Sequence, residues 1–148
     1  MKNNEITTNT CALKGRNNKE FIRVEGTKSY KIKMNLNHFL NYNCTYFGSS
    51  YEGRIKSSQL LLGMKYKLPI VIEEKHEIIF FPTKSTNHKD CEWIALNNIY
   101  SYEKNGFSTL VTFKNGVKIP FNISIESFEN QLLRASKLHL IIKNRKVD

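Results

Sequence analysis

The run Ile99-Tyr-Ser-Tyr-Glu-Lys-Asn105-Gly106-Phe-Ser-Thr-Leu-Val-Thr-Phe113-Lys-Asn115-Gly116-Val117-Lys-Ile-Pro-Phe121 carries two Asn-Gly pairs between three stretches of strand-forming residues. Asn-Gly is the strongest short hairpin signal, because the favoured two-residue turn needs positive φ at both central positions. Ile99 to Glu103, Phe107 to Phe113 and Val117 to Phe121 are therefore expected as a three-stranded antiparallel meander. Beyond it, Ser124 or Ser127 starts a final helix, in which Phe128, Leu132, Ala135, His139 and Ile142 recur at helical spacing with Leu133 and Leu138 beside them. Lys137, Lys143, Arg145 and Lys146 gather toward its end, where the helix dipole favours cations whatever the function.

Upstream, Phe21 to Val24 and Tyr30 to Met34 flank Glu25-Gly26-Thr27-Lys28 and read as a hairpin. Pro69 to Ile72 and Ile78 to Phe81 form a second, whose unbroken apolar runs predict burial on both faces. Thr83 to Asp90 is a polar loop, and Trp93-Ile94-Ala95 returns to the core. Between the hairpins, Ser49-Ser50-Tyr51-Glu52 matches a capping box, with Ser49 as the cap and Glu52 reaching back, so a helix begins there. Tyr51, Ile55, Ser58 and Leu62 then follow the helical repeat, and Gly63 ends it. Gly53 inside this helix costs about 1 kcal/mol relative to alanine, which argues that it permits close approach of a backbone or a ligand. Tyr46 and Phe47 read as core. The first twenty residues lack apolar periodicity and are expected to be loosely ordered. The fold class is thus α+β: antiparallel sheet built from hairpins and a meander, with a central capped helix and a C-terminal helix, in a single domain over residues 1–148.

The 148 residues include 23 Lys plus Arg against 13 Asp plus Glu, a formal charge of +10. Residues 1–47 hold 8 cations and 3 acids, 48–98 hold 7 and 6, and 99–148 hold 8 and 4. A basic tail would concentrate the excess, so a cationic face assembled from both flanks is expected, facing an anionic partner. No apolar run approaches the roughly 20 residues needed to span a bilayer, and Met1 to Thr10 lacks the apolar centre of a secretory signal; a cytoplasmic protein without membrane attachment is expected. Cys11, Cys44 and Cys91, odd in number and widely separated, suit reduced thiols in a reducing compartment.

Signs of catalysis are missing from the sequence. His88 and Cys91 have metal-ligand spacing but no second pair nearby, so no metal is expected. Cys44 and Cys91, beside aromatic residues, read as small buried hydrophobes. There is no nucleophile elbow, dinucleotide fingerprint or Walker loop, and Gly48-Ser49-Ser50 lacks the P-loop lysine. Neither an enzyme nor a cofactor is expected. Gly48 to Lys56 offers a different chemistry, since a helix start presents amides and a positive dipole end to a phosphate, with Arg54 and Lys56 to supply charge. Ordinary helix capping by serine accounts for the same residues.

These residues resemble the ComK family of competence transcription factors. The resemblance runs from about Tyr30 to Leu138 and is most specific at Cys44-x-x-Phe47-Gly48-Ser49-Ser50-Tyr51-x-Gly53-Arg54. Phe81-Pro82-Thr83, Cys91-x-Trp93-Ile94, Val111 to Gly116 and Ser127 to Gln131 follow in order. It implies a bacterial activator of DNA-uptake genes that binds pairs of A/T-rich boxes in double-stranded DNA as a homodimer or higher assembly, largely through the minor groove. RNA polymerase is a further candidate partner, and a nucleoid-associated location follows. A narrow A/T groove attracts inserted Arg or Lys. The implied DNA-binding residues are Gly48, Ser49, Ser50, Gly53, Arg54 and Lys56, with Lys84 from the polar loop. The chain ends at Asp148, where the family's best-known form continues into a tail recognised by a protease adaptor, so control by that adaptor is not implied here. The shorter C-terminus motivates an alternative, a protein-interaction module that has lost DNA binding and acts through a longer relative. Single-strand binding would instead need stacking aromatics on an exposed sheet face.

Overall fold

The computed structural model describes residues 4–145. Six strands, β1 (Thr10–Asn17), β2 (Glu20–Glu25), β3 (Lys28–Ile32), β4 (Ile70–Glu73), β5 (Ile78–Pro82) and β6 (Glu92–Ala95), form an antiparallel sheet in the order β3-β2-β1-β6-β5-β4. Helices α1 (Leu36–Tyr46) and α2 (Tyr51–Leu62) lie between β3 and β4 in the chain. A short 3-10 turn, Leu96–Asn98, leads into a second sheet of β7 (Ile99–Asn105), β8 (Ser108–Phe113) and β9 (Lys118–Phe121), and α3 (Ile125–Asn144) follows. The architecture is α+β with antiparallel pairing throughout.

The large sheet is buried on both faces because successive side chains of its central strands alternate between two apolar cores. Leu13, Phe21, Ile70, Ile72, Ile78, Phe80 and Trp93 point to the face covered by Phe39, Leu40 and Cys44 of α1. Ala12, Val71, Ile79, Phe81 and Ile94 point to the other, covered by Phe128, Ala135, Leu138 and Ile142 of α3 and by Val111, Phe113 and Phe121 of the small sheet. The unbroken apolar runs Ile70 to Ile72 and Ile78 to Phe81 are the sequence image of this arrangement.

The meander forms at the expected strands, but its turns are not the mirror-image type with two positive-φ residues. Between Asn105 and Ser108 the two central residues are Gly106, at φ +65°, and Phe107, which places the glycine first. Around Asn115-Gly116 the loop is one residue longer: Gly116, at φ +89°, donates to Phe113 O at 2.8 Å, and Phe113 N–H donates to Val117 O at 2.8 Å. Ser124 caps α3, its hydroxyl accepting from Ser127 N–H at 3.2 Å.

Three expectations are corrected. The first twenty residues are not loosely ordered throughout, since Thr10–Asn17 is an inner strand of the large sheet. The residues before it are tied down by distant side chains. Ile6, 2% exposed, donates its N–H to Asn43 Oδ1 at 2.6 Å, and Asn43 Nδ2 donates to Asn4 O at 3.0 Å. The buried Arg23 donates to Glu5 O at 2.6 Å while pairing with Glu25 at 3.1 Å. Second, Leu36–Tyr46 is a helix, where the sequence reading expects no element; Asn35 caps it, accepting from Asn37 N–H at 2.9 Å and His38 N–H at 3.2 Å. Third, Tyr46 is not core but 59% exposed, because the buried face of α1 runs through Leu36, Phe39, Leu40, Asn43 and Cys44.

Candidate nucleic-acid interface

The segment Phe47 to Arg54 is a tight corner between α1 and α2, and its shape follows from where each amide finds an acceptor. At the end of α1, Phe47 N–H donates to Asn43 O at 3.1 Å, Gly48 N–H to Thr45 O at 3.0 Å and Ser49 N–H to Cys44 O at 2.8 Å. Gly48 sits at φ +97°, a backbone conformation that any side chain strains, which accounts for a glycine at this corner. Ser50, extended at φ −148°, is the N-cap of α2 and accepts from Gly53 N–H at 2.9 Å. Asn41, reaching across from α1, accepts from Tyr51 N–H at 3.0 Å.

The capping box therefore does not form. With Ser50 as the cap, the third helical residue is Gly53 rather than Glu52, and Glu52 stands one position too early to fold back. It points outward instead and pairs with Lys56 at 3.2 Å, both side chains exposed. The carboxylate that would have competed for an anion at this helix start is thus turned toward a cation. Gly63 ends α2 at φ +68°, its N–H donating to Gln59 O at 2.9 Å.

Gly53 makes room for serine hydroxyls. A Cβ there would lie 3.0 Å from Ser50 Oγ and 3.1 Å from Ser49 Oγ, so both hydroxyls sit over its Cα. The sequence reading expects a backbone or a ligand to come close at Gly53; what lies there in the fold is the pair of serine side chains of the corner. Ser50 Oγ accepts from Gly53 N–H and keeps its own proton to donate outward.

Arg54 is half-buried, with its Nε enclosed and no hydrogen-bond partner. Burial pushes the Cys44 thiol up to about 11 while the nearby Arg54 charge pulls it the other way. The guanidinium is thus near enough to the buried thiol to act on it, and is not a fully exposed cation. Lys84 is half-buried in the loop after β5, its carbonyl accepting from Cys91 Sγ at 3.5 Å. Ser49, Ser50 and Gly53 are brought together; among the described residues no hydrogen bond or ion pair joins Lys84 to them.

Two side chains that the sequence reading passes over complete the corner. Asn41 holds the first amide of α2, and Tyr42 stacks on Tyr46 with ring centroids 6.2 Å apart and planes 24° from parallel. The signal for both was the helical spacing of Leu36, Phe39, Leu40 and Cys44, which places Tyr42 and Tyr46 on the opposite, solvent-facing side. The cysteines are all free and buried, with Cys91 also pushed up to about 11 by desolvation. Among the described residues no group of three or more His, Cys, Asp or Glu could hold a metal ion, and no helix is long and apolar enough to cross a membrane.

Chemically, a basic α+β fold with a helix start, outward hydroxyls, a partly sheltered arginine and exposed aromatics alongside can contact an anion and a flat ring at one corner. The chain belongs to the ComK protein family, whose model matches residues 1–147. That match reaches the N-terminal strand, beyond the Tyr30 to Leu138 span over which the resemblance was legible. A relative, the competence transcription factor of Bacillus subtilis (strain 168), is 32% identical over 117 residues, which cover 78% of this chain and 61% of that protein. The chain therefore spans under two thirds of that relative's length. No solved structure matches.

Proposed function

We propose that this chain is a non-enzymatic transcription regulator of genetic competence that binds double-stranded DNA. The observation that carries this reading is membership of the ComK family across residues 1–147, together with a relative whose name is competence transcription factor. The formal charge of +10 supplies the electrostatic attraction to phosphate that any such protein needs. Its site of action is the cytoplasm, on the nucleoid, and it works as a dimer or higher assembly on paired A/T-rich boxes, with RNA polymerase as the downstream partner.

The corner at Gly48 to Lys56 is the proposed contact. Ser49 and Ser50 donate hydroxyl protons to backbone phosphates, the α2 dipole adds to the attraction, and Lys56 contributes charge at the rim. Arg54 adds a second cation. Straightening outward into a narrow A/T groove gives its Nε the partner it lacks in the free protein. Gly48 and Gly53 keep the corner tight enough for the backbone to approach DNA, and Lys84 is a secondary contact from the neighbouring loop.

The test is a salt series of binding to a duplex with two phased A/T boxes and to a G/C-matched control, for wild type, Arg54→Lys and Lys56→Gln. Selective binding is expected, with the A/T preference reduced at least tenfold in Arg54→Lys and the salt slope shallower by about one in Lys56→Gln. Equal binding of both duplexes, controlled by salt alone, would refute sequence-selective regulation. Failure to bind either at low salt would favour a module that works through a longer relative.

A further inference from the structure

A large concavity opens beside α2, with Tyr51 and Ile55 on its wall. About 650 Å³ in volume, it opens between α2, the connection Met64 to Leu68, the loop at Ser85 to Asn87, and Arg134 of α3. Among the described residues, Lys65, Lys67 and Arg134 are the charged groups that line it, and its lining includes no carboxylate. Three cations around one cleft with no internal counter-charge repel one another, and an incoming polyanion relieves that repulsion.

The cleft is also shaped by a constrained backbone. Lys67 holds φ +51°, which is uncommon for a residue with a long side chain. That conformation is enforced from α3: the buried Gln131 donates from Nε2 to Lys67 O at 2.9 Å and to Pro82 O at 2.8 Å, and Arg134 Nη1 donates to Tyr66 O at 3.2 Å. Tyr66 is thereby presented outward, 79% exposed, between two lysines at the mouth of the cleft. Ser85, Thr86 and Asn87 supply hydroxyl and amide groups on the opposite wall, and Ile55 and Leu68 line the apolar part.

We propose that this cleft binds a nucleoside polyphosphate. The three cations take the phosphates, the exposed Tyr66 ring stacks on the base, and the Ser85 to Asn87 wall hydrogen-bonds the sugar or base edge. A simple carboxylate would leave two of the cations facing each other, and inorganic phosphate would leave the apolar floor and the Tyr66 ring uncovered. The cleft shares Tyr51 and Ile55 of α2 with the stretch proposed above to contact DNA, but its three cations, Lys65, Lys67 and Arg134, lie outside that contact.

The chain carries its own reporter. Trp93 is the single tryptophan, and its buried ring meets Tyr51 edge-on at 6.4 Å, so occupancy of the cleft alters its fluorescence. The experiment titrates the full chain with ATP, adenosine and tripolyphosphate at 150 mM salt, by Trp93 emission and by calorimetry. ATP is expected to bind saturably, and adenosine and tripolyphosphate each at least tenfold more weakly. Lys67→Gly, which removes the charge at a position whose backbone suits glycine, combined with Lys65→Gln, should weaken ATP at least tenfold with unchanged thermal unfolding. Absence of saturable ATP binding at millimolar concentration, equal affinity for tripolyphosphate, or an unaffected double variant would each overturn the proposal. Displacement of bound ATP by a stoichiometric A/T duplex would overturn the placing of these cations outside the DNA contact.

Discussion

Replacing Gly15 with alanine should unlock the loop that carries Lys84. Gly15 ends the well-paired part of β1, and its N–H donates to Cys91 O at 3.1 Å, fastening the end of the Thr83 to Cys91 loop to the sheet. A Cβ at Gly15 would stand 2.6 Å from Lys89 O and 2.7 Å from Cys91 O. Both obstacles are backbone carbonyls, so the strand and loop must separate by roughly 0.5 Å or more before the contact is tolerable. Overpacking of this kind costs about 1–3 kcal/mol. Loss of the Gly15 hydrogen bond adds about 1 kcal/mol. Alanine recovers about 0.5–1 kcal/mol by restricting the unfolded chain. The net expectation is a loss of about 1–3.5 kcal/mol, which at a urea slope near 2 kcal/mol/M lowers the midpoint by about 0.5–1.7 M. Gly53→Ala is the control, because its new methyl meets side-chain oxygens that need give by only a few tenths of an ångström, rather than backbone. Urea unfolding followed by Trp93 fluorescence reads both, since Trp93 pairs with Leu13 across β1 and β6. A Gly15→Ala midpoint within about 0.3 M of wild type at unchanged slope would refute the reasoning.

Ser58 donates from Oγ to Pro69 O at 2.6 Å in a fully buried setting, so Ser58→Ala strands a carbonyl and should cost about 1–2 kcal/mol, a fall of several degrees in the thermal midpoint. Ser50→Ala removes the α2 cap and should cost about 1 kcal/mol, whereas Ser49→Ala should stay within about 0.5 kcal/mol; equal losses would return the cap to Ser49. Cys44 and Cys91 are pushed to about 11 by burial from an ordinary value near 9, so above pH 9 the unfolded chain loses their protons first. The contribution of these two thiols should be constant below pH 9 and fall between pH 9 and 11, and a Cys44→Ala, Cys91→Ala variant with an equally steep alkaline fall would contradict this.

What was legible in the sequence is what depends on residues close together in the chain. The meander follows from two Asn-Gly pairs, each closing a hairpin within a few residues. The two-sided burial of β4 and β5 shows as unbroken apolar runs, and the ends of α2 and α3 show as Gly63 and Ser124. Even locally the register slipped where two serines compete. Asn41 holds the first amide of α2 and Gly53 N–H reaches Ser50, so the cap moved by one residue and Glu52 turned outward.

Tertiary structure decided the rest. Thr10 to Asn17 has only the short apolar stretch Cys11-Ala12-Leu13, too little to announce a strand, and becomes an inner one because β2 and β6 offer it hydrogen bonds on both edges. The polar Asn43 looks unsuited to a core until its amide is seen to satisfy Ile6 and Asn4, 37 and 39 residues away. Arg54 reads as an exposed cation, yet packing encloses its Nε. The cleft at Lys65 to Lys67 exists because Gln131 and Arg134 of α3 hold that connection from more than sixty residues downstream. Local propensity and turn chemistry are properties of neighbouring residues and can be read from them; which side chain satisfies a distant carbonyl, and which charge is left facing a cleft, are settled only when the chain closes on itself.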